Sequence, residues 1–272
     1  MSKISIIIPS LDGYRGGNVD RLIADLKKQT LQDFDVQIVK GVFPNGKARN
    51  VGAKDAKGEI LVFIDDDVKI GSNNLIEKLI EPFFKNSSIG LVGPSFSIPP
   101  DSNPFQKCLA KQLSRAEFMP QDDMLETDMV THACMAIPAK VFWQIGGENE
   151  KLIRGTDPDL RYRLRNAGFK VMGRKGIIVY HGVPDNLYEF IKKSLLSGRD
   201  SAFSFRLYPS LIYDTSSKPR FEKSQITNKG LGFRVIRAIF RLLQDILTFK
   251  VLLFIHHIFY ALGYLWGLFR YK

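Results

Sequence analysis

The sequence predicts an α/β protein with a mainly parallel sheet flanked by helices, followed by a pair of C-terminal amphipathic and hydrophobic helices. Three observations predict it. Strand-like and helix-like apolar patterns alternate along most of the chain, the segment "ILVFI" at residues 60–64 is apolar at every position, and the chain becomes both greasy and basic only near its end. A run without polar alternation has both faces covered, as in a central parallel strand. Strand and helix in alternation build a sheet of that kind.

The elements follow in order. "MSKISIIIPS" opens with a β-branched run at residues 4–8 that is too short, and too soon followed by Pro9, for a secretory signal, so it reads as the first strand. "VDRLIADLKKQ" sets Val19, Leu22, Ile23 and Leu26 on one helical face behind Asn18, a candidate cap. "DFDVQIVK" is the second strand, and a short helix over 48–56, the strand 60–64, a helix over 75–84 and a strand over 89–92 come next. Residues 95–128 are poor in pattern apart from "FQKCLAKQLSRAEF", and the acids of "QDDMLETD" read as a solvated loop. The 272 residues fit a catalytic domain over 1–217 with an appendage over 218–272. Cys108 and Cys134 imply neither a disulfide framework nor a zinc site, which fits a reducing compartment, and Cys134 and Met135 on an apolar strand read as core.

The appendage holds most of the charge. From residue 218 onward ten Lys and Arg face two acids, a net +8 of the chain's +11. "LGFRVIRAIFRLLQDILTF", residues 231–249, spaces Arg234, Arg237 and Arg241 as a basic stripe on an apolar helix, a pattern that lies on anionic membrane surfaces. "VLLFIHHIFYALGYLWGLF", residues 251–269, is about 28 Å long as a helix, close to the roughly 30 Å of a bilayer core, with His256 and His257 opposing a full span. The alternatives are a surface-lying helix, a single span, or a soluble hairpin packed on the domain or on a second subunit.

At the end of "ILVFI" stand Asp65, Asp66 and Asp67. In open α/β sheets that edge is where ligands bind. Adjacent carboxylates repel, and a partly buried site raises their pKa values unless a cation compensates. Asp65 and Asp67 point the same way if the strand geometry persists, and then share one metal. A hard divalent ion held by one or two carboxylates keeps positions free for phosphate oxygens. A simple acidic turn is the alternative.

The stretch "GKARNVGAKDAKGEILVFIDDDVKI" resembles the family 2 glycosyltransferases of the GT-A fold, in which an Ala-Arg-Asn-x-Gly segment precedes a strand ending in Asp-x-Asp. "THACMAIPAKVFWQIGGENE", "GTDPDLRYRLRNAGFKVM" and "IIVYHG" resemble further family segments in the same order, over about residues 3–205. The resemblance implies a membrane-associated, metal-dependent, inverting enzyme using a UDP- or GDP-sugar. Asp65 would contact the ribose or the metal shell, Asp67 would ligate the metal, and Asp66 would face the nucleotide or the opposite side. His181 would join the metal shell, tilting the choice toward Mn²⁺ over Mg²⁺. Pro9, Ser10 and Asp12 would hold base and ribose, and Lys47 and Arg49 would face the diphosphate.

Asp157 would be the base that takes the acceptor's proton, with Asp122 and Asp123 next in line. Its competing reading is an N-cap before Pro158, or a first-turn residue behind a Thr156–Asp159 capping box. Two departures matter. "VQIVKGVFPNG" lacks the acid with which the family reads the base, leaving the nucleotide open, and Thr156 replaces the family's Glu. No Gln-x-x-Arg-Trp follows His181, which implies single-sugar transfer to a lipid-linked or glycan acceptor at the cytoplasmic face of the cell membrane. A homodimer is compatible with this reading, and nucleic acid is not an expected partner. A nucleotidyltransferase is the rival enzyme, although "PSLDGYRGG" does not match its glycine-rich loop, and an inactive membrane-binding scaffold is the non-enzyme rival.

Overall fold

In the computed structural model the N-terminal apolar run forms β1 (Ile4–Ser10), every residue of it buried. Residues 4–113, 115–208, 213–214, 225–226 and 231–270 are described. The chain continues through a 3₁₀ turn (Arg15–Gly17), α1 (Asn18–Leu26), β2 (Phe34–Lys40), α2 (Asn45–Asp55), β3 (Ile60–Ile64), β4 (Lys69–Ile70), α3 (Leu75–Lys85), β5 (Ile89–Ser97), α4 (Pro104–Gln112), β6 (Met124–Glu126) and β7 (Cys134–Pro138). Then come α5 (Ala139–Gln144), α6 (Thr156–Asn166), β8 (Lys170–Tyr180), α7 (Leu187–Leu207), the two-residue strands β9 (Tyr213–Asp214) and β10 (Gln225–Ile226), α8 (Leu231–Leu247) and α9 (Val251–Arg270).

The main sheet has the order β2-β1-β3-β7-β5-β8-β4, with β6 paired to β8. Strands β1, β2, β3, β5 and β8 run one way, whereas β7 is antiparallel to both its neighbours and β4 and β6 are antiparallel to β8. The sheet is therefore mixed, with a parallel majority. β3 is fully buried at its centre, between apolar layers built on Ile6, Ile8 and Val62 on one face and Ile7, Leu61 and Phe63 on the other, as its unbroken apolar sequence requires. Cys134 and Met135 are core.

Several boundaries move. Asn18 is not the cap of α1: Gly17, left-handed at φ 89°, is the N-cap, because the preceding 3₁₀ turn delivers Asn18 already in helical geometry. α2 starts at Asn45 rather than 48, since Pro44 sits extended before it and accepts from the Ala48 N–H. "QDDMLETD" is only half a solvated loop. Asp122 and Asp123 are exposed, but Met124–Glu126 join the sheet and Asp128 is buried against Arg165 and Arg161.

The C-terminal helices pack on the domain. α9 crosses α7 with backbone against backbone: a Cβ on Gly263 would meet the Leu195 carbonyl oxygen at 1.9 Å, and one on Gly198 would meet that of Tyr260 at 1.9 Å. His256 Nδ1 lies 2.8 Å from Ser194 Oγ, and His257 Nδ1 lies 2.5 Å from the carboxylate of buried Asp245 on α8. The two histidines that opposed a span thus face protein. Gly263→Ala is expected to loosen this crossing and to cost about 1–3 kcal/mol or more, the usual range for overpacking. It is checked by thermal melting together with proteolysis at α9, and an unchanged melt would refute the contact. The proposed boundary at residue 217 and most of 218–230 lie outside the described residues, as does the side chain of Arg234.

Candidate functional site

β1 and β3 are parallel neighbours, so the loops after their carboxyl ends meet. The loop after β1 is shaped by Asp12, whose carboxylate accepts the backbone N–H groups of Tyr14 at 2.9 Å and Arg15 at 2.7 Å and is held below the usual carboxylate range by those bonds. Ser10, buried, accepts from the Gly13 N–H at 3.1 Å. Arg15 is thereby aimed at the acids. Its guanidinium reaches Asp66 and Asp67, each at 2.7 Å.

The three acids do not continue the strand. The Asp65 N–H donates to the Ala133 carbonyl and its own carbonyl closes a turn at Val68, so the expectation that Asp65 and Asp67 share a direction by strand alternation fails. Asp65 turns to Arg49, 2.6 Å away. Arg49 is only 2 % exposed, so it braces Asp65 from behind rather than facing a ligand. Asp67 instead meets His181, whose Nε2 is 3.4 Å from its carboxylate. Burial works against ionisation of Asp67, but His181 and Arg15 outweigh it and bring the pKa to about 2. His181 is raised by its bond with Asp67. Asp66 is raised, mainly by burial.

Pro9, Asp12, Arg15, Asn45, Asp65, Asp66, Asp67 and His181 line one cavity of about 270 Å³. Lys47 is exposed on α2 and lines neither this cavity nor the larger one below. Among the described residues no group of three or more His, Cys, Asp or Glu forms a ready-made metal cage. Asp67 and His181 nevertheless fit an ion that arrives with phosphate oxygens: they are two facing donors, and the Arg15 guanidinium at Asp66 and Asp67 marks the place beside these acids where positive charge is held.

The second half of the site is at α6. Gly155, left-handed at φ 82°, is its N-cap, so Asp157 lies in the first turn and is not a cap. The Thr156–Asp159 capping box does not form. The Asp159 N–H bonds to the Gly155 carbonyl, and the Asp159 carboxylate pairs with Arg163 at 2.7 Å. Asp157 points the other way, accepting the His132 backbone N–H at 2.6 Å with its carboxylate 2.5 Å from His132 Nδ1. His132 Nε2 in turn lies 2.6 Å from Glu148, and both of these residues are buried.

An imidazole is therefore clamped between two carboxylates. Burial and Arg49 oppose its protonation, but Glu148 and Asp157 prevail and raise it to about 9. Asp157, only half-buried, is held well below the usual carboxylate range by His132 and Arg161, which outweigh the partial loss of solvent. The clamp is tied to α2, where Asn50 donates to the Glu148 carbonyl and accepts from its N–H.

A larger cavity of about 870 Å³ joins the halves. Asp65 and His181, which also line the smaller cavity, share its wall with His132 and Asp157. Asp122 and Asp123 line neither cavity, and Asp123 pairs with Arg174 at 3.0 Å, so the reserve candidates for the base are not brought to the site. Arg15, His132 and Glu148 escaped the sequence reading. His132 left a signal all the same, standing two residues before a buried strand in "THACM".

Residues 17–195 match the family described as glycosyltransferase like family 2. Among solved structures the protein is similar to the mannosyltransferase PcManGT from Pyrobaculum calidifontis in complex with GDP-Man and Mn²⁺, with TM-score 0.58 and 12% identity over 97% of this chain and 87% of that one. It is also similar to GalNAc-T7 with UDP, GalNAc and Mn²⁺, with TM-score 0.51 and 15% identity over 66% of this chain and 44% of that one. At these identities the likeness is one of fold, the GT-A fold. Comparison with curated proteins gives no match.

Proposed function

The chain belongs to the glycosyltransferase like family 2, and on that premise we propose that it moves a single sugar, with inversion, from a UDP- or GDP-sugar to a lipid-linked or membrane-proximal acceptor. The observation that carries this reading is the shared wall: the Asp67–His181 pair and Asp157 open into connected space, with Asp65 and His181 lining both cavities. Asp67 and His181 would hold Mn²⁺ or Mg²⁺, which supplies charge to stabilise the leaving diphosphate. Pro9, Ser10 and Asp12 shape the loop on which the nucleoside rests, Asp66 lines its floor, and Arg49 fixes Asp65. At the other end Asp157 accepts the proton of the acceptor hydroxyl as that oxygen bonds to the anomeric carbon and the bond from this carbon to the diphosphate breaks. The clamp on His132 holds Asp157 ionised and oriented for that role.

The tail, residues 218–272, is proposed as the membrane-associating unit at the cytoplasmic face. α9 is long and apolar enough to cross a bilayer. Its crossing with α7 argues for lying on the surface, because a span would draw Arg199, Asp200 and Arg206 of α7 into hydrocarbon. The outer face of the hairpin is apolar, with Ile236 67 % and Phe240 66 % exposed, and Arg241, Lys250 and Arg270 are exposed beside it.

The full-length protein incubated with nucleotide sugars and Mn²⁺ is expected to release nucleoside diphosphate. In flotation it should follow vesicles containing phosphatidylglycerol and leave them in high salt. Absence of diphosphate release with every donor would refute the transfer, and a protein that stays monomeric in detergent-free buffer and floats with no vesicle would refute the membrane role. A dimer closed over the apolar face would move the tail's role to self-association.

A further inference from the structure

Asp67 has two carboxylate oxygens, and both are engaged by protein. Oδ2 accepts from the Arg15 guanidinium at 2.7 Å, and Oδ1 faces His181 Nε2 at 3.4 Å. The other arm of the same guanidinium donates to Asp66 Oδ1 at 2.7 Å. Arg15 therefore spans two carboxylates from the loop after β1, where a divalent ion held by Asp67 would carry charge of the same sign. Two cations at one carboxylate edge repel, so Arg15 has to yield when a metal ligates there.

Arg49 shows by contrast what a permanent brace is. Its side chain is 3 % exposed against Asp65, and breaking so buried a pair is costly. The Arg15 side chain is 52 % exposed, and exposed pairs contribute little, so its exchange costs little. The backbone adds a second observation. Arg15 stands at φ 44°, followed by Gly16 at 61° and Gly17 at 89°, in the left-handed region that suits glycine and strains a residue with a side chain. Strain of this kind gathers at ligand-binding loops, where the side chain rather than the backbone accounts for the residue. Resting on the transfer reading above, we propose that Arg15 and the metal are alternative partners of Asp67, and that Arg15, once displaced, donates to the diphosphate that arrives with the metal. The guanidinium then stays within the cavity of about 270 Å³ that it already lines, and its planar fork matches phosphate oxygens. Arg15 binds and positions the donor; it takes no part in proton transfer.

The test follows Mn²⁺ binding by the electron paramagnetic resonance of the free ion, and UDP and GDP binding by calorimetry with and without Mn²⁺. It compares the full-length parent with Arg15→Gln and Arg15→Gly. Without nucleotide, both variants are expected to bind Mn²⁺ several-fold more tightly than the parent, because the competing cation is gone. With Mn²⁺ present, they should bind the diphosphate that the parent prefers about tenfold more weakly, the loss of a charge-assisted bond. The sign of the first change decides. A residue that only orients a metal ligand costs about 10–100-fold in metal affinity when removed, so weaker or unchanged Mn²⁺ binding would make Arg15 a fixed support and overturn the proposal. Unchanged diphosphate binding would overturn it as well. Arg15→Gly suits the left-handed backbone and is expected to melt no lower than the parent, so its lost affinity cannot be a lost fold. A parent that binds neither nucleotide with Mn²⁺ would sink the transfer reading and this one with it, whereas variants that bind like the parent sink this one alone.

Discussion

Asp67→Asn is expected to reduce Mn²⁺-dependent UDP or GDP binding to the level seen in EDTA, with the fold intact. Asp67 sits at the rim of the sheet with its side chain 28 % exposed, and its partners are the exposed Arg15 and His181 rather than the core. Removing one of three adjacent carboxylates lowers their mutual repulsion, so the fold has little to lose. The metal has much to lose. Asp67 is ionised at every physiological pH, and its neutral replacement is a far poorer ligand for a hard cation. Supporting residues around metals typically contribute about 10–100-fold in affinity, and a direct ligand at least as much. Calorimetry with and without EDTA decides the matter: equal nucleotide affinity in the variant and the parent under both conditions would remove Asp67 from the metal site.

The sequence carried the frame of this site because the frame is local. "ILVFI" could only be covered on both faces, and three acids after it had to lie at the ligand edge of the sheet. What the sequence did not carry was set by distant partners. The strand stops at Ile64 because the Asp65 carbonyl turns back to accept the Val68 N–H, and the acid side chains then diverge toward Arg49, Arg15 and His181, partners far off in sequence. Arg15 sits in a loop with Gly13, Gly16 and Gly17 at positive φ, where periodicity is silent. His132 and Glu148 are 16 residues apart, and only the fold turns two buried polar residues into one ion pair.

The tail divides in the same way. Two helices were legible from arginine spacing and apolar length, yet their docking was not. It depends on Gly198, which in sequence reads as a weak point of a helix and in the structure is where another backbone passes.

Asp157→Asn is expected to lower transfer by about 10²- to 10⁴-fold, the range for loss of a general base, while Asp159→Asn, which disturbs only the pair with Arg163, keeps measurable turnover. The structure changes what else should be measured. An isolated surface base would leave the melting temperature unmoved, but Asp157 is half of the clamp on His132, and Asn retains only the bond to the His132 N–H. Glu148 then faces the imidazolium alone, so a modest fall in melting temperature accompanies the loss of rate.

The pH dependence separates the two effects. His132 is raised to about 9 in the folded state from an ordinary value near 6.5, so the stability it contributes is fully present below about pH 6.5 and is lost as the pH rises through about 9. The parent should therefore lose melting temperature between pH 7 and 10 more steeply than Asp157→Asn, in which one of the two carboxylates that raise His132 is gone. Transfer at the parent rate by Asp157→Asn, with the altered melting profile still present, would make Asp157 a structural partner of His132 and nothing more. Parent-like rate and parent-like melting together would deny the clamp as well.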